Sequence, residues 1–333
     1  MYEVLVRSRA NQSISSCKLQ TSTERSVGLL FWVDKLKMYK LRHLFLSQQC
    51  SFMAMTSLRL MRVRTQRASF SSSAVKWEGG VSMVQGASRG IGLEFVKQLL
   101  EKEKGHVIAT CRNPSGATGL LHLKSKFAER LSILQLDVTN ESTIEESAKS
   151  ISEKYGSLNL LINASGILSI PQVLQPETTL RKVEKSSLLL AYEVNAVGPI
   201  LVIKHMWPLL RDGGGLGTER DVAVVANLSA RVGSIGDNRL GGWHSYRASK
   251  SALNQLTKNI SVEFARRKDP ITCILLHPGT VDTDLSRPFQ RNVPEDKLFT
   301  TEFSVQKLLS IIHNAKSHDN GKFFAWDGQE IPW

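Results

Sequence analysis

The sequence predicts an α/β fold: one doubly wound parallel sheet of about seven strands with helices on both faces. Two observations predict it. From residue 81 onward, short runs rich in Val, Ile and Leu alternate with helix-length amphipathic segments. A parallel sheet needs that alternation, because each crossover helix must cover a sheet face. The first strand also runs directly into a glycine-rich turn, QGASRGIG (85–92), that opens a helix.

Taken in order, VSMVQ (81–85) is the first strand and 90–103 the first helix. HVIATC (106–111) is followed by a helix over roughly 117–129, and LSILQL (131–136) by one over 141–154. LNLLIN (158–163) precedes a helix ending near Leu210. VAVVANL (222–228), a helix over 246–267 and ITCILL (271–276) complete the legible alternation. Residues 78–333 fit one such domain without internal repeats.

In the first turn Gly86, Gly90 and Gly92 are spaced G-x-x-x-G-x-G, with Ser88, Arg89 and Ile91 between them. Glycines here let the backbone approach a pyrophosphate, and the helix N-terminus supplies free amides and partial positive charge. The alternative is a bare structural turn, but its place in the first βαβ unit favours dinucleotide binding. RDGGGLGTERD (211–221) is equally glycine-rich but precedes a strand, so it reads as a surface loop. NAD sites usually place an acid after the second strand to hold the ribose. Here Thr110-Cys111-Arg112-Asn113 stands there. Arg112 with Arg89 suits an extra 2′-phosphate, which predicts NADP(H) over NAD(H). Two solvated surface arginines are the plainer alternative.

The formal net charge of +13 suggests nucleic acid until it is located. Residues 1–77 hold 13 Lys+Arg against 3 Asp+Glu, whereas 78–333 hold 30 against 27. The basic excess belongs to the front segment, so nucleic acid is not an expected partner. From Lys35 to Trp77 there is no acidic residue, and 53–77 is rich in Arg and Ser. That composition predicts a transit peptide into a mitochondrion or chloroplast, against a basic tail on a cytoplasmic protein. Met53 and Met55 offer alternative starts. No apolar run predicts a membrane span. The four cysteines have no metal-ligand or CxxC spacing, so no metal is expected and a reducing compartment is the default.

Ordered along the chain are GASRGIG (86–92), Asp137-Val138, NASG (163–166), VNAVGP (194–199), YRASK (246–250) and PGTVDTDL (278–285). In that order they resemble the short-chain dehydrogenase/reductase family over residues 80–333. SARVGSIGDNRLGGWHSYRASK further resembles its carbonyl-reductase-like and C-factor-like members. The resemblance implies a Rossmann-type domain and a catalytic set of Asn195, a serine, Tyr246 and Lys250. Tyr246 would be the general acid that protonates the alkoxide left by hydride transfer. Lys250, four residues on and on the same helix face, would lower the phenol pKa and hold the nicotinamide ribose. Asn195 would hold a water in a proton relay, its plainer alternative being a helix-kink or capping asparagine.

The same resemblance places Asp137 and Val138 beside the adenine, with a helix cap as the alternative for Asp137. It places Asn163 and Gly166 along the adenine ribose, Pro278, Gly279 and Val281 at the nicotinamide end, and Thr283 near the amide or the phosphates. A homodimer or homotetramer is implied by analogy. Three departures stand out. NASG replaces the usual Asn-Asn-Ala-Gly, Gln85 replaces a threonine, and Ser229-Ala230 replaces a Ser-Ser pair whose second member is normally catalytic. Counting from the strand selects Ser229, and counting back from Tyr246 selects Ser234; the strand end favours Ser229. Trp243 and His244 precede the tyrosine, and Leu285–Phe303 would form a substrate lid. The expectation is carbonyl–alcohol interconversion on a small apolar substrate; the alternative is a dinucleotide sensor without useful turnover.

Overall fold

A computed structural model describes residues 78–333; the basic segment 1–77, with both alternative starts, lies outside the described residues. The first half contains β1 (Val81–Gln85), α1 (Gly90–Lys102), β2 (His106–Cys111), α2 (Thr118–Lys126), β3 (Leu131–Gln135) and α3 (Glu141–Tyr155). The second half contains β4 (Leu160–Asn163), α4 (Lys185–Tyr192), α5 (Gly198–Gly213), β5 (Ala223–Leu228), α6 (His244–Arg267) and β6 (Ile271–His277). A short parallel pair, β7 (Thr280–Val281) and β8 (Leu298–Phe299), then leads to α7 (Thr301–Asn314) and β9 (Lys322–Ala325).

The main sheet has seven strands in the order β3-β2-β1-β4-β5-β6-β9. Every neighbouring pair is parallel. The α/β reading therefore holds. The strand and helix beyond β6 complete the edge that the sequence alternation had left unplaced. The single helix expected after β4 is divided: a π-helical turn, Glu193–Val197, separates α4 from α5. Such turns arise where one residue is inserted into a helix, and they favour functional positions.

Alternation along each buried strand sends side chains to both faces. Val84 and Ala109 pack with Phe95 and Leu99 of α1 and Leu308 and Ile312 of α7. Met83 and Ile108 pack on the opposite face with Ile151 of α3 and Val202 and Met206 of α5. Burying one such side chain contributes about 1.5–3 kcal/mol, so both layers are needed to offset chain entropy. Lys185–Gly213 is long and apolar enough to cross a membrane, with mean hydropathy 1.6. Its Val202, Ile203, Met206 and Leu210 are instead spent on the sheet.

The connection after β1 runs to β2 on one side, and β4 lies on the other. That reversal opens a crevice at the carboxyl ends of β1 and β4, where ligands of doubly wound sheets bind.

Candidate active site

The glycine turn forms the floor of the crevice. Gly86 and Gly90 have φ of +80° and +55°, in the region that favours glycine. At Gly92 the reason is contact: a Cβ would lie 2.1 Å from the Gly86 carbonyl oxygen. Arg89 caps α1 without a side-chain bond, which leaves the first-turn amides facing the cleft. The cleft encloses about 1000 Å³, and Ser88, Arg89, Ile91, Arg112, Asp137 and Val138 line it with the glycines. A smaller hollow of about 580 Å³ lies in the 211–221 loop, before β5 and away from this chemistry.

Arg89 and Arg112 thus face one cavity, both exposed. Arg89 also pairs with Asp284, just before the lid, at 3.7 Å. No acid occupies the end of β2, so the residues present suit a phosphorylated ribose. Asp137 is not the cap of α3; Asn140 is, accepting from the Ser142 amide. The Asp137 carboxylate instead accepts from the Thr139 amide and hydroxyl at 3.0 and 2.8 Å.

Two of the sequence departures compensate each other. Gln85 Nε2 donates to Ser165 Oγ at 2.5 Å, and the Ser165 amide donates back to Gln85 Oε1 at 3.3 Å. This bridge ties the end of β1 to the segment after β4. Asn163 differs from expectation. Its side chain is 2% exposed and donates to Asn227 Oδ1 at 2.8 Å, and the cleft wall is made by Ala164, Ser165 and Gly166. Asn227 in turn donates to Thr257 of α6, so Asn163 belongs to a buried ladder joining β4, β5 and α6. From the PGTVDTDL stretch Thr283 lines the cleft. Val281 is buried, Pro278 accepts from the Ser304 hydroxyl, and Gly279 abuts Phe299 and Trp326.

Two of the catalytic candidates, Asn195 and Lys250, meet beside Gly166. A Cβ there would lie 3.4 Å from Asn195 Oδ1 and 3.5 Å from Lys250 Nζ, so both groups abut a cleft-lining residue. Asn195 sits in the middle of the π turn, fully buried. Its Nδ2 donates to the Ile167 carbonyl and Ser249 Oγ, and its Oδ1 accepts from the Ile167 amide at 2.7 Å. The kink is therefore pinned to the cleft wall by that side chain. Lys250 is 3% exposed and donates to the Leu228 carbonyl at 2.9 Å. Its Nζ lies 5.8 Å from the Tyr246 ring centroid. Burial lowers the Lys250 pKa to about 8 and raises that of Tyr246 well above the usual phenol value.

Neither serine hydroxyl is directed at Tyr246. Ser229, next to the Leu228 that holds Lys250, donates to Asn254 Oδ1 at 2.6 Å. Ser234 donates to the Pro332 carbonyl and accepts from the Asp237 amide, both as part of a loop anchor. Of the two, Ser229 stands beside the Tyr-Lys pair in the chain fold, but its hydroxyl is spent on α6.

Above the phenol, Trp243 meets the Tyr246 ring edge-on at 6.3 Å and the lid residue Phe289 at 5.1 Å. Trp243 is itself in the left-handed region, φ +49°, which costs a bulky residue roughly 1–2 kcal/mol. Glu177 and Arg247 hold that turn and were not anticipated. A buried glutamate in an irregular connection leaves no periodic signal, and the Ser-Tyr-Arg sequence shows no more.

Comparison with known proteins agrees with this geometry. The family described as short chain dehydrogenase matches residues 81–294. An uncharacterised oxidoreductase of Schizosaccharomyces pombe is 33% identical over 263 residues, covering 76% of this chain and 98% of its own. The C-signal protein of Myxococcus xanthus is 31% identical over 178 residues, covering 54% of this chain and 94% of its own. An NADPH-bound carbonyl reductase from chicken fatty liver superposes with a TM-score of 0.68 at 34% identity, covering 77% of this chain and 99% of its own. With its seven-stranded parallel sheet, its glycine turn and a family match that spans residues 81–294, the chain belongs to the short-chain dehydrogenase family of oxidoreductases.

Proposed function

We propose that the protein is an NADP(H)-dependent reductase that converts a small apolar aldehyde, ketone or quinone to its alcohol. The observation that carries this reading is the placement of Lys250 Nζ and Asn195 Oδ1 beside Gly166, with Lys250 Nζ 5.8 Å from the Tyr246 ring centroid. Bound NADPH would supply the hydride. The chain's own part is to hold the carbonyl and deliver a proton. Tyr246 is protonated across the neutral range, as a donor must be. Lys250, as a cation, lies over the ring and favours the phenolate left after donation. Asn195 uses both amide hydrogens on Ile167 and Ser249, so a relay through this residue would run by its main-chain carbonyl.

Arg89 and Arg112 support NADP(H) over NAD(H), as does the NADPH bound by the chicken reductase. Ser229 would polarise the substrate after turning away from Asn254, which makes it an assistant to Tyr246. The leader composition supports import into a mitochondrion or chloroplast, and the exposed Leu189, Tyr192 and Val262 of α4 and α6 support a homodimer or homotetramer. NADPH oxidation across a panel of aldehydes, ketones and quinones tests the assignment. Turnover supports it; tight NADPH binding without any turnover favours a sensor of the same fold.

A further inference from the structure

Tyr246 is approached through a run of left-handed backbone. Gly241, Gly242 and Trp243 have φ of +63°, +66° and +49° in succession. Helix α6 then begins without a cap of its own, because Trp243 occupies the N-cap and makes no side-chain bond there. The cap comes from Glu177, 68 residues earlier. Its Oε2 accepts from the Ser245 amide at 3.1 Å, and its Oε1 accepts from the Ser245 hydroxyl. Its main-chain carbonyl accepts from the Trp243 amide at 2.6 Å. From the other side, Arg247 Nε donates to the Gly241 and Gly242 carbonyls, and Nη1 donates to Val232. Both sequence neighbours of Tyr246 are therefore fastened, one to Glu177 and one to the strained turn.

Glu177 is 2% exposed, and among the described residues no cation pairs with it. A buried carboxylate is costly, and an apolar side chain would serve stability better. Both its carboxyl oxygens are spent on Ser245, at the amide end of α6. The same connection lines the cleft at Ile167, Leu168 and Ile170, so the cleft wall and the helix bearing the phenol share one anchor.

We propose that Glu177 is a positioning residue for the reduction: it clamps the 241–243 turn and so fixes the direction of the Tyr246 hydroxyl relative to Lys250. This rests on the reading of Tyr246 as proton donor.

The test compares full-length wild type with Glu177→Ala, Glu177→Gln, Ser245→Ala and the Glu177→Ala/Ser245→Ala double variant. Two readouts are used: NADPH-dependent turnover, and amide hydrogen exchange over residues 240–247. For Glu177→Ala, kcat is expected to fall roughly 30-fold, inside the hundredfold that a one-ångström misplacement costs. NADPH affinity and carbonyl KM should stay within about threefold, since neither ligand touches Glu177. Glu177→Gln, which keeps an acceptor, should restore most of the rate, and the double variant should be no slower than Glu177→Ala. Exchange at 240–247 should quicken at least about tenfold while peptides from β1 to β5 are unchanged.

Unchanged exchange at 240–247 overturns the clamp, and so does a rate loss matched by equal loss of NADPH affinity. If Glu177→Ala fails to fold, Ser245→Ala decides, with unaltered kcat and exchange counting against the proposal. Absence of turnover by the wild type would sink the proton-donor reading instead, and the exchange readout would then judge the clamp alone.

Discussion

Burial acts in opposite directions on the two groups that face each other across one turn of α6. It keeps the Tyr246 proton on and loosens that of Lys250, whose pKa falls to about 8. Below that value the ammonium is present to favour the phenolate; above it the amine is neutral and the favour is lost. Reductive kcat/KM should therefore fall as pH rises through about 8, and a profile flat across about pH 7–9 would separate Lys250 from the rate. Tyr246→Phe should reduce turnover by at least roughly a thousandfold, because it deletes the donor, with NADPH affinity nearly unchanged in a binding titration. Ser229→Ala should cost only about tenfold, since its hydroxyl already serves Asn254. Arg112→Ala should weaken NADPH about tenfold or more and NADH hardly at all, as one charge-assisted phosphate contact implies. Equal losses for both cofactors would remove the 2′-phosphate role.

Elements decide how those residues meet. The glycine turn works because α1 begins hard against β1, with no room for a side chain at Gly92. Gly92→Ala should abolish NADPH binding and lower the melting temperature, because the Gly86 backbone has to move. Strands and helices up to β6 were legible because parallel strands are apolar throughout and helices recur with a different period. The helix α7 and strand β9 were not, since KFFA is only four residues long and carries a lysine and no β-branched residue despite the Asn320-Gly321 turn before it. The site divides the same way. Tyr246, Lys250 and Asn195 could be read from spacing and resemblance. The Gln85–Ser165 bridge was visible only as two separate departures, because partners 80 residues apart meet only once β1 and β4 pair. Asn163 and Ser229 were expected to face ligands and turned inward instead, toward Asn227 and Asn254. Sequence spacing fixes where a Cα falls, but hydrogen-bond competition fixes where the side chain points.

At the scale of the molecule, the charge is unevenly divided, with most of the +13 held by the first 77 residues. Removing them should leave turnover intact and change only the address, which fractionation of cells expressing the two forms would read out. The cleft itself is built where β1 and β4 lie side by side, with β2 and β3 beyond one and β5, β6 and β9 beyond the other. A dinucleotide laid across that seam would touch both halves of the sheet and so act as a thermodynamic staple. At a hundred times its dissociation constant, a ligand bound only by the folded chain adds about 2.7 kcal/mol. For a domain of this size that corresponds to roughly 5–10 °C in melting temperature. Heat resistance thus becomes a gauge of nucleotide occupancy. If the proposed dinucleotide is bound, the protein would be sturdiest where that dinucleotide is abundant and most exposed to unfolding and proteolysis where that pool runs down.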